Sequence, residues 1–262
     1  MRQPRKPSNE FLSTYFSKIE LENSERQAFF TFVKKKLLRR GVRSCADLLN
    51  HFPELSDSER FGASLIFMMA KYRRSVSMMY DQLFSKSHEL SGIAAACLSS
   101  IGGDRIAEKL LVELSVPQCP TETKVAIMSC LSSLKSHNFR TRIAARLLLV
   151  LKDKNEKRQL REAAAYGLSG VLRDVGKSRK IYRNAVRSLA FALLDPSPCL
   201  RGNAVFSLGS LRAKEYRKRL EAISRTDHAK CYGPADKGTA WTVAKEAKVA
   251  LRKIDQEPAT SQ

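Results

Sequence analysis

Arg179, Arg183 and Arg187 recur every four residues, a spacing that lines three guanidiniums along one side of a helix. A guanidinium is a planar fork of donors that matches carboxylate and phosphate oxygens. The chemistry open to such a stripe is therefore anion binding. Ile181, Ala185, Leu189 and Leu193 repeat at the same interval on the opposite side. A helix expected over 177–194 would bury that face and turn the arginines to solvent. Arg217, Lys218 and Arg219 make a second basic cluster, and Arg158 and Arg161 open an earlier helix. These eight side chains are the candidate contacts to an anionic partner.

The charge balance supports that choice. The chain has 47 lysines and arginines against 26 acidic residues, a formal net of +21. Between Lys157 and Leu220 stand 15 basic and 4 acidic residues, a net of +11, so about half the excess sits in a quarter of the chain. A balanced surface would keep the chain soluble with less self-repulsion, so the excess points to an anionic partner. An acidic protein is the first reading and nucleic acid the alternative. Aromatics in the basic stretch are few: Tyr166, Tyr182, Phe191, Phe206 and Tyr216. Nucleic-acid binding would thus rest on phosphate contact rather than base stacking.

Other constellations carry less. Asp227, His228 and Cys231 include metal-ligand types, but the H-x-x-C spacing lacks a fourth ligand, and an ordinary surface loop is expected. The run from Gly233 to Thr239 echoes a phosphate loop, yet its lysine precedes the second glycine and no strand leads into it. Trp241 reads as a packing residue at a helix start. Met68, Met69, Met78 and Met79 bracket Tyr72, Arg73 and Arg74, which reads as core packing around a solvated basic turn. The six cysteines have no paired spacing and read as reduced core thiols of a cytoplasmic protein. No catalytic group, metal or cofactor is expected. No apolar run reaches membrane-spanning length, and the first residues lack a signal peptide's apolar core, so no membrane association is expected.

The elements that must position the basic residues repeat. In 194–211, Asp195-Pro196-Ser197-Pro198 stops one helix and starts the next, with Ser197 as cap and Pro198 at the first position. Ala204, Leu208 and Leu211 then share one face. Leu98, Leu131, Leu168, Leu208 and Leu251 are 33, 37, 40 and 43 residues apart. Ala94, Ile127, Ala164, Ala204 and Ala247 stand four residues before them; Ile101, Leu134, Val171, Leu211 and Ile254 stand three after. The residue preceding each leucine is small: Cys97, Cys130, Gly167, Ser207 and Ala250. A bulky side chain in that column would overpack a neighbouring helix. A weaker sixth copy centres on Leu65, with Phe61, Ser64 and Met68 in the matching columns. No alternating run of branched residues suggests a strand. Upstream, the polar tail 1–9 precedes helices expected over 11–21 and 22–40, ended by Gly41, and a short helix over 45–52. Ser56 with Glu59 opens the next helix as a capping box.

The turn at Asp195-Pro196 followed by Leu200-Arg201, Ala204 and Leu208-Gly209 resembles the HEAT-like repeats, bi-helical units also found in phycobilin lyases and related bacterial proteins. Leu160-Arg161, Ala164 and Leu168 form a second copy, and Lys124 fills the arginine column of a third. Ser91 and Ala244 depart from it. The resemblance implies an all-α fold: an elongated α-solenoid of about five to six bi-helical repeats over 57–255. Residues 1–56 would be a basic tail and atypical helical cap, and 256–262 a tail. It also implies a binding scaffold. The HEAT-like deoxyhypusine hydroxylases need several His-Glu pairs where this chain has only His88-Glu89. The HEAT-like DNA glycosylases combine tryptophans with a catalytic aspartate, and no such constellation surrounds Trp241. No chromophore-binding motif of the lyases can be assigned. A HEAT-like enzyme is therefore the third reading.

Overall fold

The structure is a computed structural model that describes residues 44–136, 138–173, 175–176, 179–231 and 241–256. The amino-terminal tail, the two helices expected over 11–40, the segment 233–239 and the tail beyond 256 lie outside the described residues. The chain divides into two compact units at Gly102–Gly103. The expected start of the repeat array at residue 57 falls inside the first unit, because it marks a sequence repeat and not a compact unit. Gly102 and Gly103 have φ of 69° and 112°, backbone that a side chain disfavours, so this pair ends one helix and starts the next.

The first unit holds α1 (Cys45–His51), α2 (Asp57–Ala70), α3 (Val76–Gln82) and α4 (His88–Ile101). Ser44 caps α1 by accepting from the Asp47 amide at 3.1 Å. Ser56 and Glu59 form the expected capping box of α2. Helix α4 packs on α2 and on α3. The buried Gln82 amide ties the three together, donating to Ser64 Oγ at 3.0 Å and to the Leu90 carbonyl at 3.2 Å. The sixth repeat copy is skewed: Ser64 is buried, but Leu65 and Phe61 are half-buried while Ala63, Ile66 and Phe67 fill the core. An aromatic cluster explains the rotation, since Phe67 lies 6.0 Å from Phe52 and 5.7 Å from Tyr72 between ring centres. Met79 is fully buried, Met68, Met69 and Met78 are half-buried, and Arg73 and Arg74 are exposed.

The second unit is an all-α repeat: α5 (Asp104–Glu113), α6 (Thr121–Ser133), α7 (Arg140–Lys152), α8 (Arg158–Leu172), α9 (Lys180–Ala192), α10 (Pro198–Ser210), α11 (Arg217–Thr226) and α12 (Val243–Asp255). The even helices α6, α8, α10 and α12 pack in succession as one layer. Of the odd helices, α5, α7 and α9 pack side by side as the second layer, and α11 packs on α12. The helix carrying the arginine stripe is shorter than expected, 180–192 rather than 177–194.

The leucine column holds through both units: Leu98, Leu131, Leu168 and Leu208 are at most 1% exposed. In α12 the buried place passes to Ala250, and Leu251 is half-buried. The small-residue column is buried throughout, and its reason is close approach. A Cβ on Gly167 would collide with the Ser132 hydroxyl of α6, and one on Gly170 would reach 2.5 Å from the Ser132 carbonyl oxygen. One on Gly209 would come within 2.6 Å of Ala250 Cα on α12. Ser207 uses its small size differently, donating to the Ala165 carbonyl of α8 at 2.6 Å.

The odd helices have a register of their own. Ile106, Ala107, Leu110, Leu111 and Leu114 of α5 and the turn after it are buried. So are Ile143, Ala144, Leu147, Leu148 and Leu151 of α7, and Ala185, Val186, Leu189, Ala190 and Leu193 of α9 and its following turn. The spacing is identical in all three.

Among the described residues, one departure from all-helix stands out. Lys230–Cys231 pairs antiparallel with Trp241–Thr242. The pair brings Thr242 to the start of α12, where its hydroxyl accepts from the Lys245 amide at 3.2 Å. Trp241 lies in this strand pair rather than in the helix and donates its indole N–H to Glu246 at 2.8 Å.

Candidate binding surface

The eight predicted cations have different fates. Arg161 opens α8, and its guanidinium meets Asp195 of the turn before α10 at 2.8 Å, with both side chains largely buried. Its Nε also donates to the Leu151 carbonyl at 3.4 Å. One repeat later Arg201 does the same, gripping Asp227 with two hydrogen bonds of 2.7 and 3.0 Å. It further donates to the carbonyls of Asp195 and Pro196 at 2.9 and 3.1 Å. The arginine column is thus a ladder joining successive turns, and Arg161 is committed to the fold. Asp227, weighed above as a metal ligand, is the partner of Arg201. That guanidinium's hydrogen bond holds the Asp227 carboxyl below its usual range, against some desolvation. Among the described residues no cluster of three or more His, Cys, Asp or Glu side chains could hold a metal ion.

Arg217 is also engaged: it makes two hydrogen bonds of 3.1 Å to Asp255 and an ion pair of 3.0 Å to Glu221. Arg158 lies on the surface, 3.5 Å from Glu162. Arg179, Arg183, Arg187 and Lys218 are exposed and Arg219 is half-exposed. Arg179 is not part of the helical stripe: it is the N-cap of α9, in extended backbone, and its side chain makes no capping hydrogen bond.

That position is unfavourable, because a helix amino end carries partial positive charge. The same conflict recurs. Helices α7, α8, α9 and α11 start at Arg140, Arg158, Lys180 and Arg217, have no acidic residue in the first turn, and lack a side-chain cap. By contrast α4, α10 and α12 are capped by Ser87, Ser197 and Thr242.

Two cations that sequence reasoning missed join Arg187. A cleft of about 480 Å³ opens between the end of α7, helix α9 and the turn 194–196. Lys152, Lys154, Arg187, Asn184 and Ser188 line it with Phe191 and Leu194, and Asp195 in its wall is the one already paired with Arg161. The volume lies in the usual range of ligand clefts, about 300–1,000 Å³. The signal was present: α7 carries Arg140, Arg142, Arg146 and Lys152 with no acidic residue, and α9 carries Lys180, Arg183 and Arg187 with none. The packing of α7 on α9, which only the fold supplies, brings the two runs together. Not all of them face outward. Arg140 donates to the Gly170 and Val171 carbonyls at the end of α8, and Arg146 to the Leu114 carbonyl.

The six cysteines are free thiols, five of them buried, and burial pushes Cys45 and Cys97 up to about 12. Thiolate chemistry is suppressed there at neutral pH. No described helix is long and apolar enough to cross a membrane. No family model matches the chain, and no curated protein compared with it does.

Proposed function

We propose that this chain is a HEAT-like repeat scaffold, without catalytic activity, that holds an acidic protein partner on the basic face of α7 and α9. The observation carrying the reading is the concentration of cations on those two adjacent helices, with no acidic residue on either. Solubility would be served equally by mixed charges. Basic first turns oppose the helix dipole and cost stability, and local rules are typically broken where function requires it. The buried, reduced thiols fit a cytoplasmic setting.

Purification with bound partners, with and without nuclease, tests the reading against nucleic acid. A partner that survives nuclease and is lost from the Arg183→Glu, Arg187→Glu variant supports it. Co-purified nucleic acid, with a log-affinity against log-salt slope that falls by about 0.9 for each lost phosphate contact, supports the alternative. Equal binding of every anion by the wild type and the variant would reduce the strip to a solubility feature.

A further inference from the structure

Val112, Leu149 and Phe191 stand at one register position of α5, α7 and α9, directly after the buried pairs Leu110–Leu111, Leu147–Leu148 and Leu189–Ala190. They are 63%, 62% and 69% exposed, and Leu194, just after α9, is 71% exposed. These are four of the six large hydrophobic side chains exposed among the described residues. Isolated exposed apolar residues are ordinary and need no cause. Recurrence at one position of three helices that pack side by side is not scatter. Helix α5 packs on α7 and α7 on α9, so the column becomes a row across them, with steps of about 8–10 Å set by helix packing distance. At its Phe191 end the row runs into the cleft lined by Lys152, Lys154 and Arg187.

We propose that this row is the docking surface for one partner segment: an acidic peptide with at least two bulky apolar side chains. The apolar residues seat against Leu149, Phe191 and Leu194, and the carboxylates face Lys152, Lys154 and Arg187. The proposal rests on the acidic-partner reading above and sharpens it from charge alone to charge plus apolar anchors. Charge complementarity selects the occupant, since α7 and α9 hold no acidic residue and the aspartate in the cleft is neutralised by Arg161. A phosphate backbone has no apolar groups to set against an aliphatic row, which favours peptide over nucleic acid. The step length matches residues i and i+7 of a helix, about 10.5 Å, or i and i+3 of a polyproline II segment, about 9 Å on one face.

Fluorescence anisotropy with three labelled peptides of about sixteen residues, built from Glu, Ser and Gly, tests this. One carries leucines at i and i+7, one at i and i+3, and one alanines at those sites. The wild type should bind at least one leucine peptide about tenfold or more tighter than the alanine peptide. The Leu149→Ser, Phe191→Ser variant should bind all three alike while its thermal melt stays unchanged, as both side chains are exposed. Lys152→Glu with Arg187→Glu should weaken every peptide. Equal affinity of leucine and alanine peptides for the wild type, or a preference surviving in the Leu149→Ser, Phe191→Ser variant, overturns the row. The acidic-partner reading then still stands if all peptides remain sensitive to salt and to the charge reversals. If no acidic peptide binds at low salt and duplex DNA does, both fall.

Discussion

The two helix layers of the second unit use the same residue types to opposite ends. In the even layer, α10 has a single charged side chain, Arg201, and it is bound to Asp227 and two carbonyls. Glycine, serine and alanine there let helices approach until one added methyl would strike a neighbour. In the odd layer, α7 and α9 together hold seven cations, and large apolar side chains stand in solvent at a repeated position. The difference teaches where a repeat protein of this kind is constrained by its own packing and where its side chains are left to solvent.

The sharpest break of that contrast is a core deletion in the even layer. Leu208→Ala should cost about 2–5 kcal/mol of unfolding free energy, read as a lowered denaturant midpoint, since the leucine is fully buried. Gly209→Leu should cost about 1–3 kcal/mol by overpacking, because its Cβ would lie 2.6 Å from the Ala250 backbone. A midpoint unchanged by both would mean that α10 and α12 do not pack as described. Next is the ladder. Asp195→Ala leaves the Arg161 guanidinium largely buried without its carboxylate and should cost about 1–3 kcal/mol. Arg183→Glu with Arg187→Glu, in the odd layer, should stay within about 0.5 kcal/mol of wild type. If the odd-layer change proved the costlier one, the division between structural and solvent-facing cations would collapse.

Two carboxylates give opposite pH signatures. The Arg201 hydrogen bond lowers Asp227, so the unfolded state binds more protons. The stability this contributes is present above the unfolded aspartate value and is lost as pH falls through the folded one. Burial beside Trp241 raises Glu246, only partly offset by the indole hydrogen bond and by Lys253. Stability is therefore lost as pH rises through that raised value. Asp227→Asn should blunt the acid-side fall in stability, whereas Glu246→Gln should raise stability at neutral pH and converge with wild type in acid. Urea titrations across pH would separate the two.

A further small effect, of opposite sign, concerns Arg179. As the N-cap of α9 it opposes the helix dipole, so Arg179→Glu should stabilise by about 0.3–1 kcal/mol while weakening an anionic partner. A melt that falls instead would return Arg179 to a structural role.

Much of the even layer was legible in the sequence, because its helices repeat a leucine column, a small-residue column and a column that is alanine everywhere except Ile127 of α6, at fixed offsets. The Ser197 cap and the Ser56–Glu59 capping box were legible because each involves residues only a few positions apart. The odd-layer register was harder to see. Its buried positions mix Ile106, Ile143 and Ala185 in one column and Leu111, Leu148 and Ala190 in another, so no single residue type marks them. The role of Arg161 was hidden too, since its partner Asp195 lies 34 residues on.

Local chemistry within one turn or one helix period was determined by the sequence alone: the caps at Ser56 and Ser197, the buried stripe of α6, α8 and α10, the net charge and its concentration between Lys157 and Leu220. Tertiary structure alone decided which of those charges are available. Arg161 and Arg187 are alike in sequence, both arginines on amphipathic helices in the same basic stretch. Packing places Asp195 against one and leaves the other open in the cleft beside Lys152, Lys154 and Phe191. Charge is a property of the residue, but its availability depends on which groups the fold brings within hydrogen-bond reach, and those are set by contacts tens of residues apart.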